Sequence, residues 1–167
     1  CTDPRADNCY HALTYGWLCG ELVKRISGQS IGGFFRTEIA VPLGLETWIG
    51  LPSELEAVVS QLTLANDWGS APFLRPETWH KDRLIWSIWG NPPTFAEATF
   101  PWNSSAYRQA GIPGAGGIST ARSMALFYDC LANGGGTILN PETVRSSRQP
   151  LRTGFDSVHN VNAANGI

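Results

Sequence analysis

No stretch of this 167-residue sequence approaches the roughly 20 apolar residues that a bilayer-spanning helix needs. Nor does a charged segment followed by a short apolar one open it. A membrane span or leader is therefore not expected and a soluble chain is, with nothing to fix its compartment. The 12 Lys and Arg form no basic run and the net charge is −2, which excludes the electrostatic footprint of a nucleic-acid partner. The four cysteines, Cys1, Cys9, Cys19 and Cys130, show no CxxC and no histidine at metal-ligand spacing. A zinc site and a dense disulfide framework are excluded, free thiols are expected, and no cofactor is called for. Also missing are an internal repeat, a low-complexity tract and any pair of clear strands.

What is present reads as mainly α. Tyr15, Leu18, Cys19, Leu22, Val23 and Ile26 recur at helical spacing over residues 12–27, and Gly28 follows as a C-cap. The periodicity predicts that this apolar stripe is the buried face. Ser30 is placed to cap a second helix through Ile31, Phe34, Phe35 and Ile39, which Pro42 and Gly44 stop. Residues 53–64 read as a third helix, although Val58 and Val59 would also suit a strand. A loop over 66–77 leads to a short helix over 81–90, then to a long irregular connection holding Ser104 and Ser105 as plain loop residues. Ser119 is expected to cap the clearest helix, with Ala121, Met124, Ala125, Tyr128 and Leu131 on one face and Asn133-Gly134 at its end. Asn140, Pro141 and Glu142 announce a last one. The size suits one core. A helical domain over 1–150 and a polar, disordered tail over 151–167 are the expected division.

Two blocks carry a resemblance. "YHALTYGWLCGELVKRISGQSIGGFFRTEIAVPLGLETWIGLP" and "IPGAGGISTARSMALFYDCLANGG", followed by "LNPETV", resemble the central segment of the serine beta-lactamase-like hydrolases. That superfamily holds class C-type beta-lactamases, DD-peptidases and beta-lactamase-fold carboxylesterases. The match covers about residues 9–145 and is strongest to the esterase-like branch. It implies the helical domain of a beta-lactamase/transpeptidase-like α/β fold, lacking most of the antiparallel sheet domain, and ester or lactam substrates for the intact family.

The resemblance also assigns positions. Tyr10 matches the tyrosine that moves a proton, while Ala12 stands where many lactamases carry an amide. His11, Ala12, Trp102, Gly116 and Gly117 are the implied cleft neighbours. A phenol, with an ordinary pKa of about 10, is a poor base near neutrality without a neighbouring cation. In the family the cation is the lysine of S-x-x-K, yet the residues three before Lys24 and Lys81 are Glu21 and Thr78. The K-T-G or H-G-G type strand is absent too. The chain begins on Cys1 rather than Met, as a processed or cut chain does. The implied reading is a segment of a longer hydrolase, inactive alone, whose serine lies before Cys1 and whose oxyanion strand lies after Ile167. A face left uncovered by the missing sheet domain is expected to self-associate or to bind a complementary fragment.

Other readings stay open. Tyr10 is also explicable as a structural tyrosine, and the chain as a free-standing helical binding module. Ser119 reads as a cap rather than a nucleophile, His11 as a polar surface group, and "GAGG" at 114–117 as a tight packing turn rather than an anion cradle. Trp79, Trp86, Trp89 and Trp102 read equally as an aromatic wall for acyl groups or as core.

Overall fold

The computed structural model describes residues 10–65, 101–156 and 161–166. The helix expected over 81–90 with its Trp86 and Trp89, and likewise Trp79, Cys1 and Cys9, lie outside that range.

Helix α1 runs Thr14–Ser27 and ends on Gly28, whose positive φ of 75° lets its N–H reach back to the Lys24 carbonyl. Ser30 caps α2, Ile31–Phe35, by accepting the Gly33 N–H at 3.1 Å. The chain then widens into a π turn over Arg36–Ala40, closed by Val41 N–H onto the Arg36 carbonyl. The short strand β1, Thr47–Ile49, follows. Residues 53–64 depart from expectation, because only a 3₁₀ stretch forms at Ser53–Val58 and Val59 is extended. Val59 takes the extended conformation its branched side chain favours. Beyond it, Asn103 Oδ1 accepts the Leu62 N–H at 2.7 Å and its Nδ2 donates to the Leu62 carbonyl at 2.8 Å, tying the extended chain down.

Ser104 and Ser105 are not loop residues. Ser104 caps a short helix α3, Ser105–Gln109. Strand β2, Gly117–Ser119, pairs antiparallel with β1 in the register Thr47 opposite Ser119 and Ile49 opposite Gly117. That pairing moves the next cap by one residue. Ser119 shares a 2.6 Å hydrogen bond with the Thr47 hydroxyl, and Thr120 instead accepts the Ser123 N–H to start α4, Ala121–Ala132. Asn140, with Pro141 and Glu142 behind it, starts α5, Pro141–Ser147, as its sequence announces.

The polar stretch after Gln149 forms a hairpin: β3, Pro150–Asp156, pairs antiparallel with β4, Val161–Gly166. Helices thus dominate, with two small two-stranded sheets among the described residues. The mainly α expectation holds only in part, since sequence alone suggested none of the four strands.

Both longer helices bury a different face from the one their apolar spacing suggests. On α1 the packed positions are small: Gly20 is buried against Pro113 and Ile31, and Gly16 lies against Pro113 and Gly114. Tyr15, Leu18, Leu22 and Ile26 are left exposed. On α4 the buried residue is Ser123, whose hydroxyl accepts the Glu46 N–H, with Phe127 half-buried and facing Phe35. Met124 and Tyr128 are exposed. Backbone-to-backbone approach selects glycine and serine at the contact, and the apolar side chains turn away from it. Ala40, Leu45, Leu51 and Val144 are the buried apolar residues among those described.

Candidate functional site

Tyr10, His11 and Ala12 form the approach to α1, and the approach is held by backbone contacts. The Tyr10 N–H points to Asp156 Oδ1 at 3.4 Å, and Asp156 is buried near the end of β3. Asp156 had no signal in the sequence, because it falls in the stretch read as a free tail. A Cβ on Gly114 would sit 2.8 Å from the Ala12 carbonyl oxygen, and one on Gly16 would sit 2.6 Å from the Gly114 nitrogen. The two glycines therefore seat the start of α1 on the Gly-rich turn. Tyr10 itself is 47% exposed, and His11 is exposed.

The other side of that turn opens into a cavity of about 670 Å³. Trp102, Gly116 and Gly117 all line it, together with Trp48 and Tyr107. Of the residues expected at a cleft, the structure gathers these three. It does not bring Tyr10, His11 or Ala12 to the cavity wall, but sets Ala12 against Gly114, next in the chain to the lining residue Ala115. Gly116 is buried, and a Cβ there would lie 2.9 Å from Ile112 backbone atoms, which supports the packing reading of "GAGG" over the anion cradle.

Trp102 and Tyr107 meet edge to face at 5.4 Å, so Trp102 is at once packed and part of a wall. The Tyr107 hydroxyl donates to the Ala115 carbonyl at 3.0 Å, and burial pushes its phenol above the ordinary value. It is a poor candidate for a base. Arg108, also on the lining and 6% exposed, donates from Nη1 to Glu56 Oε2 at 2.8 Å. Among the described residues no group of three or more His, Cys, Asp or Glu side chains could hold a metal ion, and no helix is long and apolar enough to cross a membrane. Cys19 and Cys130 are free thiols on α1 and α4.

The Arg108 guanidinium holds the Glu56 carboxyl below the ordinary carboxylate range. A depressed folded-state value means that the pair stabilises the fold above the unfolded carboxylate pKa of about 4.3, and that this part is lost as pH falls through the folded value. Urea midpoints at about pH 6 and pH 3 are expected to differ less in Glu56→Gln than in the parent chain. An equal acid loss in both would remove the pair from the account. Glu21, lowered by Arg25 on the exposed face of α1, acts with the same sign but is screened by salt.

Comparison with known proteins places this geometry. The Beta-lactamase family model matches residues 2–166, and the chain belongs to that family. It is 32% identical over 139 residues to the Mycobacterium tuberculosis protein described as esterase/beta-lactamase LipL, covering 77% of this chain and 30% of that protein. A family VIII carboxylesterase superposes with a TM-score of 0.79 at 27% identity, over 96% of this chain and 41% of that one. A penicillin-binding protein homolog from Caulobacter crescentus gives a TM-score of 0.71 at 27% identity, over 97% and 42%. The chain thus spans less than half the length of each of these relatives.

Proposed function

We propose that this chain is the helical segment of a beta-lactamase-related serine hydrolase of the esterase type, with Tyr10 at the proton-transfer position, and that it is not catalytic by itself. One observation carries the reading: nearly the whole chain superposes on well under half of a carboxylesterase. The sequence agrees, since neither lysine has a serine three residues before it. In an intact hydrolase of this kind a serine oxygen attacks an ester or lactam carbonyl, the ester C–O bond breaks and the alcohol departs or the lactam C–N bond opens with its nitrogen still tethered, and water then cleaves the acyl-serine to release the acid. Lysine and tyrosine move the serine proton to the leaving group. The role of this segment is to hold Tyr10 before α1, through the Asp156 carboxylate on the Tyr10 N–H and through Gly114 against the Ala12 carbonyl, with His11, Ala12, Trp102, Gly116 and Gly117 beside the substrate. The scheme needs no cofactor and no nucleic acid.

Intact-mass spectrometry of the folded chain after exposure to a fluorophosphonate, and separately to a reactive beta-lactam, tests this. No covalent adduct is expected. A stoichiometric adduct mapped to a serine would show that a nucleophile is activated within the chain and would overturn the claim of inactivity.

The second reading, a helical binding module that works through an exposed face, is favoured by the apolar stripe of α1, which the described structure leaves uncovered. Self-association, or capture of a complementary fragment, occurs there in this reading.

A further inference from the structure

Two residues on the wall of the cavity beside the Gly-rich turn carry a formal charge, Glu46 and Arg108, and they differ in how that charge is met. Arg108 is buried and its Nη1 donates to Glu56 Oε2 at 2.8 Å, so an opposite charge lies in contact with it. Its Nη2 has no hydrogen-bond partner and is closed off from solvent. Glu46 is exposed and belongs to neither of the ion pairs among the described residues, which join Arg25 to Glu21 and Arg108 to Glu56. Arg36, which reaches the residue before Glu46, is committed: Nη1 donates to the Leu45 carbonyl at 2.9 Å, and the guanidinium carbon lies 5.5 Å from the Trp48 ring centroid. The lining therefore carries one unmatched charge, and it is negative. The Glu46 backbone is fixed on both sides, its N–H donating to Ser123 Oγ at 2.9 Å and its carbonyl accepting the Thr120 N–H at 3.3 Å. Trp48, Trp102 and Tyr107 line the same space, and aromatic faces attract cations.

We infer that Glu46 makes this cavity selective for a ligand that carries an organic ammonium group, a protonated amine or its quaternary counterpart. The Glu46 carboxylate pairs with the charge, and the aromatic wall adds cation–π attraction. Arg108 does not cancel the preference, because Glu56 already answers its charge at contact distance. An anion is repelled by Glu46, and to use Arg108 it has to displace Glu56 or open the packing over Nη2. The volume of about 670 Å³ is that of a small-molecule site. As a ligand preference this stands on the cavity and its charges; only its use in selecting amine-bearing esters or lactams rests on the hydrolase reading.

The test reads binding rather than turnover, so that its failure is separate from any failure of the hydrolase reading. Three probes share a ring and differ in charge: cyclohexylmethylamine, protonated at neutral pH, cyclohexylmethanol and cyclohexanecarboxylate. Calorimetric titration of the folded chain is expected to show saturable one-to-one binding of the amine, about fivefold or more tighter than the alcohol read by displacement, with the carboxylate weakest. Raising the salt from about 20 mM to about 500 mM is expected to weaken the amine and leave the alcohol unchanged. Glu46→Gln, at an exposed position whose backbone bonds it keeps, is expected to bring the amine down to the level of the alcohol. Glu46→Lys is expected to place the carboxylate above the amine. Glu54→Gln, which removes an exposed acid that is not on the lining, is expected to change nothing. A carboxylate that binds the parent chain as tightly as the amine would assign the anchor to Arg108 and overturn the inference. No saturable binding of the amine, an amine affinity unmoved by Glu46→Gln, or one lost in Glu54→Gln would overturn it as well.

Discussion

Gly32→Ala is expected to destabilise the chain by about 3 kcal/mol, a large share of the stability of a chain this size. A Cβ at residue 32 would fall on the Ile49 carbonyl oxygen, closer than any real side chain approaches. Ile49 cannot retreat freely, because it ends β1 and pairs with Gly117 of β2. The added methyl therefore either pushes α2 off the sheet or breaks the ladder that carries Gly117 and Ile118 along the cavity wall. Gly28→Ala and Gly33→Ala bracket the effect. At Gly28 the surroundings are open, but the left-handed φ of 75° costs a side chain about 1 kcal/mol. At Gly33 the nearest atom to a new Cβ is the movable Ser30 hydroxyl at 3.3 Å, and the gain in helix propensity offsets it. Urea denaturation of the three variants is expected to order them Gly32, Gly28, Gly33 from most to least damaging. Equal midpoints for Gly32→Ala and Gly33→Ala would refute the close approach of α2 to β1.

That contact illustrates what the sequence makes legible and what it does not. Gly28, Ser30, Asn140, Pro141 and Glu142 were readable because capping is a transaction between a residue and its immediate neighbours. The pairing of Thr47 with Ser119 was not, because it joins residues 72 apart through strands of three residues, too short to show an alternating pattern. The same distant partner explains the one-residue error in the start of α4, where the Ser119 hydroxyl is already engaged. The hairpin of β3 and β4 is rich in Asn, Gly and Ala, so no hydrophobic alternation announced it. Of the residues expected at a cleft, Trp102, Gly116 and Gly117 line one cavity, whereas Tyr10, His11 and Ala12 do not. Asp156 was not legible, since a lone acid in a polar stretch carries no mark of its burial.

The exposed face of α1 leads to the other large expected effect, a reversible dimer that two substitutions abolish. Tyr15, Leu18, Leu22 and Ile26 are 64%, 70%, 59% and 78% exposed, a single stripe on a helix whose opposite face is already packed through Gly16 and Gly20. A second copy of the same chain is the partner expected on this stripe. Tyr15, Cys19, Leu22 and Ile26 read with the same spacing in either direction, so two α1 helices related by a two-fold axis between Gly20 and Glu21 set Tyr15 against Ile26 and Cys19 against Leu22. One helix face supplies less than the roughly 800 Å² per partner of a standard interface, so the dimer is weak, with a dissociation constant on the order of 10 μM or above. Sedimentation across about 5 to 500 μM is expected to show a concentration-dependent shift from monomer to dimer. The double variant Leu18→Glu with Leu22→Glu sets like charges against one another across the axis and is expected to stay monomeric throughout, while Tyr128→Glu on α4 leaves the equilibrium unchanged. A parent chain that is monomeric over the whole range, or a dimer that persists in the double variant, would remove α1 as the self-association surface.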